Sequence, residues 1–312
     1  VPIKLLNRAA SPTHDPVEHY PDLAPLRQAL HAEDWRAVVA FFDRLPDGDD
    51  PTVATDMVAQ MRGVETYLRS VGGPAESPLA GTLLGVRLVM LAWEARGSAR
   101  SQYTSSRRFA SFHETLREAE AVLSEVTAAD PGNIAAWTAR LCIARGLEMG
   151  PAEANRRYER AVGARPHPFT AQLAYVQQLC PKWGGSLEKM HDFARRCAEE
   201  APPGSLNAAA VAEAHLEDAF YEGTFHYLRR PRVLTELQDA VAVSVGHPDY
   251  RPVHGWVRAQ SSFAMALWYA GDRAGAASRM ATLDNRITEY PWRSVRQFRT
   301  VRRRLLRIGA RG

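Results

Sequence analysis

Lysine is almost missing from this 312-residue chain: Lys4, Lys182 and Lys189 are the only three, so arginine supplies 36 of the 39 basic residues. None of the three follows a glycine, which removes the phosphate-cradling Gly-Lys-Ser/Thr sequence of P-loop nucleotidases. No two glycines stand two apart, so the Gly-x-Gly-x-x-Gly dinucleotide fingerprint is absent as well. Gly-x-Ser-x-Gly does not occur, and His113-Glu114 lacks the second histidine of His-Glu-x-x-His. Cysteine is sparse and odd in number (Cys142, Cys180 and Cys197), which argues against a disulfide framework and for a reducing compartment. No long apolar run is present: Leu79 to Trp93 comes nearest and Arg87 interrupts it. With a mean hydropathy of −0.31, a membrane protein is not expected. The first residues hold only the apolar pair Leu5 and Leu6 among scattered prolines, without the apolar centre of a signal peptide, and a cytoplasmic location is expected.

Acidic residues are missing from the last twenty positions, which carry eight arginines: Arg293, Arg296, Arg299, Arg302, Arg303, Arg304, Arg307 and Arg311. The net charge of +4 therefore describes a basic tail on a mildly acidic body, and does not by itself mark a nucleic-acid-binding protein. In that tail Val295, Phe298, Val301, Leu305 and Ile308 recur at near-helical spacing, which predicts an amphipathic capping helix over 291–312.

What is abundant is helix-forming sequence. Residues 1–21, punctuated by proline, read as an extended arm. From Leu23 onward Ala, Leu, Arg and Glu dominate, apolar residues recur at three and four, and no stretch alternates with period two. Pro131, Pro166 and Pro202 are 35 and 36 residues apart, and each is preceded by the same ladder at offsets of twelve, eight and five. The ladder reads Ala119, Leu123, Val126, then Ala154, Tyr158, Ala161, then Met190, Ala194, Cys197. One helix face is written three times.

This ladder resembles the second-helix signature of tetratricopeptide repeats. Trp137, after Asp130-Pro131, falls at that family's first-helix aromatic position, and Ala264, Leu267, Gly271, Asp272, Ala276, Met280 and Leu283 fit the pattern near the C-terminus. Trp93 to Gly97, Leu179 to Ser186 and Ala214 to Glu217 further resemble an actinobacterial group of such proteins without an assigned function. The resemblance implies an all-α fold, an irregular tetratricopeptide-like α-solenoid of about seven helical pairs. It runs as one repeat domain over 22–290, because a lone helical pair cannot bury its apolar face.

The resemblance also implies that first helices line a concave face. Family phasing assigns Arg108, Arg145, Tyr175, Arg258 and Trp268 to that face as direct contacts for a protein or peptide partner, an acidic one suiting the arginines. The carboxylate clamp of chaperone-binding members is missing, with Thr138 and Cys142 at its positions. The expected function is a non-catalytic binding scaffold or regulatory module, with self-association left open and neither a cofactor nor a metal expected.

The alternative is an enzyme or small-molecule-binding protein with a pocket around His215, Glu222 and His226. His215, Asp218, Glu222 and His226 share one helix strip of about 16 Å, too long for one metal to meet both ends. Glu217 beside His215 reads as a buried orienting pair. The loop Lys182-Trp183-Gly184-Gly185 reads as a wedge and tight reversal, with Ser186 as the N-cap of the next helix. Asp47, Asp49 and Asp50 lack calcium-loop spacing and read as a solvated turn. A third reading is a nucleic-acid-associated regulator that uses the arginine tail.

Overall fold

The computed structural model describes residues 11–46, 49–97 and 105–309, with side chains described to residue 305. Among these residues the protein is all-α, with sixteen α-helices and a single isolated bridge between Thr13 and Arg286. The chain divides into two compact units, one of Asp22–Gln178 and one of Val1–Pro21 with Leu179–Gly312.

The first unit holds α2 (Ala24–His31), α3 (Trp35–Phe42), α4 (Pro51–Ala59), α5 (Val64–Val71), α6 (Pro78–Arg96), α7 (Ser106–Ala129), α8 (Ile134–Gly146), α9 (Pro151–Ala164) and α10 (Phe169–Gln178). Their starts follow local chemistry. Asp34, Ser77 and Asn133 cap α3, α6 and α8 by accepting a main-chain N–H three residues on, and Pro78 and Pro151 occupy first-turn positions where no N–H is needed. In packing, α6 meets α7 and α8 while α7 meets α8; then α8 meets α9 and α10 while α9 meets α10.

Helices α6 and α8 are apolar on nearly all sides, whereas α9 has one buried stripe at Ala154, Arg157 and Ala161. The repeated ladder faces inward: Ala119, Leu123, Val126, Ala154 and Ala161 are buried, with Tyr158 half-buried. Close approach of α6 and α7 requires glycine, since a Cβ on Gly85 would lie 2.5 Å from Leu123 Cδ2. By length and composition α6 is apolar enough to cross a membrane, yet most of it is buried within this unit. Its Arg87 donates to Glu65 (3.0 Å) and to the Ala59 carbonyl (2.7 Å).

Two expectations change here. Asp47 lies outside the described residues, but Asp50 is no solvated turn residue: it is buried, caps α4 through the Thr52 N–H, and accepts from the Thr170 hydroxyl at 2.7 Å. Asp50 thereby ties the start of α4 to α10. Helix α4 packs on α6 and α8, and Ala135 and Thr138, on the α8 face that also bears Cys142, are buried, so this face is covered by the chain itself.

The second unit holds α1 (Pro16–His19), α11 (Leu187–Glu200), α12 (Ala209–Glu222), α13 (Pro231–Val243), α14 (Trp256–Ala270), α15 (Arg273–Leu283) and α16 (Val295–Gly309). The described part of the arm is not wholly extended: Asp15 caps the single turn of α1. Thr13 pairs with Asn285 and Ile287 through the main chain, and the Tyr20 hydroxyl accepts from the Gly255 N–H. Helix α12 packs on α11, α13 and α14, and α13 also meets α14. The ladder is again inward, at Met190, Ala194 and Cys197 and at Ala276, Met280 and Leu283. Helix α16 packs on α15 through Phe298, Val301 and Leu305, leaving Arg296, Arg299, Arg303 and Arg304 exposed.

Candidate functional site

The chemistry-bearing residues of the second unit converge on α12, which carries three buried ionisable groups. Glu213, His215 and Glu217 are all buried among alanines and leucine. An ionisable group in such surroundings persists only with partners, and each has them.

Glu213 and Glu217 stand one turn apart. Glu213 takes two bonds from Arg258 (2.6 and 2.9 Å) and one from the Ser262 hydroxyl (2.9 Å), both on α14. The Arg258 guanidinium also lies 4.3 Å from the centre of the Tyr290 ring. Glu217 accepts from Lys182 Nζ at 2.8 Å and faces Cys180 Sγ at 3.6 Å. The loop that supplies Lys182 is a 3₁₀ turn, Pro181–Trp183, that reverses through Gly184 at φ 84°. A Cβ on Gly185 would collide with the Leu179 carbonyl, so the turn requires glycine there. Ser186 caps α11 as expected, accepting from the Lys189 N–H at 3.2 Å.

His215 and Asp218 have other partners. His215 Nε2 lies 3.2 Å from Glu236 on α13, and its Nδ1 lies 3.2 Å from the Tyr227 hydroxyl, which donates to the His215 carbonyl at 2.6 Å. Asp218 pairs with His191 Nε2 on α11 at 3.0 Å, and the two imidazole rings are 4.7 Å apart. Burial holds His215 below the ordinary histidine range against the raising influence of Glu236. The hydrogen bond from His215 holds Glu236 down to about 2 despite its burial, with Arg195 at 2.9 Å adding to the effect. Burial, then the Asp218 charge, push the Tyr227 phenol up. The chemistry of this arrangement is a neutral imidazole donating to a carboxylate, which clamps α11, α12 and α13 together.

Glu236 and Arg195 also line a surface groove of about 560 Å³ between α11 and α13. Its floor is apolar, with Val211, Ala240 and Ala198, and its rim is charged, with Arg232 and Asp239. Val243, which also lines it, is 43% exposed.

The candidates from the sequence separate clearly. His215 and Glu217 are both buried but do not pair with one another: their hydrogen-bond partners are different residues on different segments. Glu222 is exposed at the end of α12, and His226, also exposed, bonds Thr224 at 2.9 Å, so neither joins His215. Of the assigned partner contacts, Arg258 is engaged with Glu213. Arg145 donates to the Ala174 carbonyl at 3.2 Å and lies over Trp93, and Tyr175 donates to Asn155 at 2.9 Å while stacking on Tyr158. Trp268 is half-buried under the Arg273 guanidinium, 3.7 Å from its ring centre, and Arg108 is exposed in the first turn of α7. Sequence spacing could not find Glu236, since its bond to His215 crosses between helices, and gave no signal for the α11–α13 groove. Comparisons with protein-family models, with curated proteins and with solved structures return no match.

Proposed function

We propose that the chain is an irregular tetratricopeptide-like solenoid that works as a non-catalytic scaffold, binding a protein or peptide partner in the groove between α11 and α13. What supports the repeat reading is the recurring packing triad, in which one helix meets its successor and the next-but-one helix while those two also meet, as stacked helical pairs require. The observation that carries the binding reading is the groove itself: an apolar floor, a rim of both charge signs and the exposed Val243 among its lining residues. Apolar anchors inside a polar rim are the anatomy of a partner site.

The α11–α13 groove is preferred to the first-helix face because α4 packs on α8 over buried Ala135 and Thr138 and because Arg258 is committed to Glu213. The non-catalytic reading rests on the polar network, whose members bond one another and so serve helix clamping. Affinity capture from cell lysate, followed by chemical cross-linking of the purified pair, tests the proposal. Cross-links concentrated on α11 and α13 support it, and cross-links confined to other helices refute it.

A second reading, contact with nucleic-acid phosphates, draws on α16, where Arg296, Arg299 and Arg303 are exposed along one side with no carboxylate partner among the described residues. Binding to duplex DNA or RNA that weakens linearly with the logarithm of salt concentration would favour it.

A further inference from the structure

The first unit carries a feature that the scaffold reading does not use. Arg140 of α8 and Arg156, Arg157 and Arg160 of α9 line one surface pocket of about 390 Å³, beside Trp137 and Thr127. Two carboxylates serve these four guanidiniums. Glu120 of α7 accepts from both Arg140 (2.7 Å) and Arg157 (2.8 Å), and Glu153 is shared by Arg157 (2.6 Å) and Arg156. Arg160 has no carboxylate partner among the described residues.

The guanidiniums divide by burial. Arg157 is buried and also donates to the Arg140 carbonyl at 2.6 Å, while Arg140 donates to the Thr127 hydroxyl at 2.6 Å and lies 4.9 Å from the Trp137 ring centre. These two form a fixed frame. Arg156 and Arg160 are exposed and present donors to the pocket. Burial alone would raise Glu153, but the bonds from Arg157 and Arg156 hold it below the ordinary carboxylate range, so it stays ionised. The four guanidiniums thus share two carboxylates, a local excess of two positive charges.

From this imbalance we infer that the pocket between α7, α8 and α9 binds a small molecule bearing a phosphate monoester. The monoester dianion matches the two uncompensated charges, which a diester or a carboxylate cannot do. Guanidinium forks suit phosphate oxygens, and the volume falls within the range of small-ligand sites.

Calorimetric titration of the full chain with phenyl phosphate and with dimethyl phosphate tests the inference. The monoester is expected to bind at least about tenfold more tightly than the diester, since one charge-assisted bond is worth roughly that factor. Its affinity should fall as pH drops below about 6, where the second phosphate proton is taken up. The double variant Arg156→Gln/Arg160→Gln changes only exposed residues and should weaken the monoester by about tenfold or more. Glu153→Gln keeps an oxygen for Arg157 while removing a negative charge, and should tighten it. No monoester binding by the folded chain at about 10 mM ligand, equal affinity for the two esters, or unchanged affinity in the double variant would overturn the assignment.

Discussion

His215 Nε2 lies 3.2 Å from Glu236, a contact in which burial keeps the imidazole neutral while the same hydrogen bond keeps the carboxylate ionised down to about pH 2. The pair is therefore built for neutral and alkaline pH. His215 binds its proton less readily in the folded chain than in the unfolded one, so its contribution to stability is complete above about pH 6.5 and declines as pH falls below that value. His19, lowered by burial, acts in the same direction and window. Glu236 adds a second loss between about 4.5 and 2. Urea midpoints should be flat from pH 8 to 7 and fall by pH 5, and His215→Asn should flatten the first part of that fall. A midpoint that rises on acidification would contradict the assignment of a buried neutral imidazole.

Removing Arg258 leaves Glu213 fully buried without its ion pair. Arg258→Ala should cost roughly 3–5 kcal/mol in urea unfolding, whereas Glu213→Leu/Arg258→Met, which removes both charges, should cost much less than Arg258→Ala alone. A loss in the double variant as large as that in Arg258→Ala would show that the two do not act as a pair.

Gly85 and Leu123 form a size-matched contact. Gly85→Ala places a methyl against Leu123, and Leu123→Ala empties a fully buried site, at a cost of about 2–5 kcal/mol for the latter. The double substitution should be less destabilising than the sum of the two, since each relieves the other. Strict additivity, read from the same unfolding curves, would place the two residues out of contact.

The basic tail separates by face. Phe298→Ala removes a fully buried side chain from the seam with α15 and should destabilise by about 3–5 kcal/mol, while Arg299→Ala and Arg303→Ala, on the exposed side, should change stability by less than about 0.5 kcal/mol. Thermal melts of the three variants check this, and comparable losses in all three would contradict a docked amphipathic helix.

The all-α class and the inward faces of α7, α9 and α11 were legible, because a small-large-small ladder such as Ala119, Leu123 and Val126 is a local pattern fixed by helical periodicity. Ser186 was legible as a helix start for the same reason: a cap acts over three residues. Asp50 was not, since its second partner, Thr170, lies 120 residues away and no local pattern distinguishes a capped, buried aspartate from a solvated one. Nor was the covering of the α8 face by α4, a short helix whose burial depends on what it packs against. The strip of His215, Asp218, Glu222 and His226 failed as a unit because α12 ends at Glu222, beyond which Gly223 takes a left-handed turn and His226 leaves the helical register. The true partners, His191 and Glu236, sit on neighbouring helices at separations of 27 and 21 residues from Asp218 and His215.

Whether the α11–α13 groove is the partner surface is decided most directly by the affinity of a captured, purified partner for the full chain and for Val243→Glu and Asp239→Arg. Both substitutions alter exposed groove residues and leave the His215 to Glu236 clamp in place. Weakening by about tenfold or more with an unchanged urea midpoint is the expected result. Unchanged affinity in both variants would contradict the groove as the site of binding.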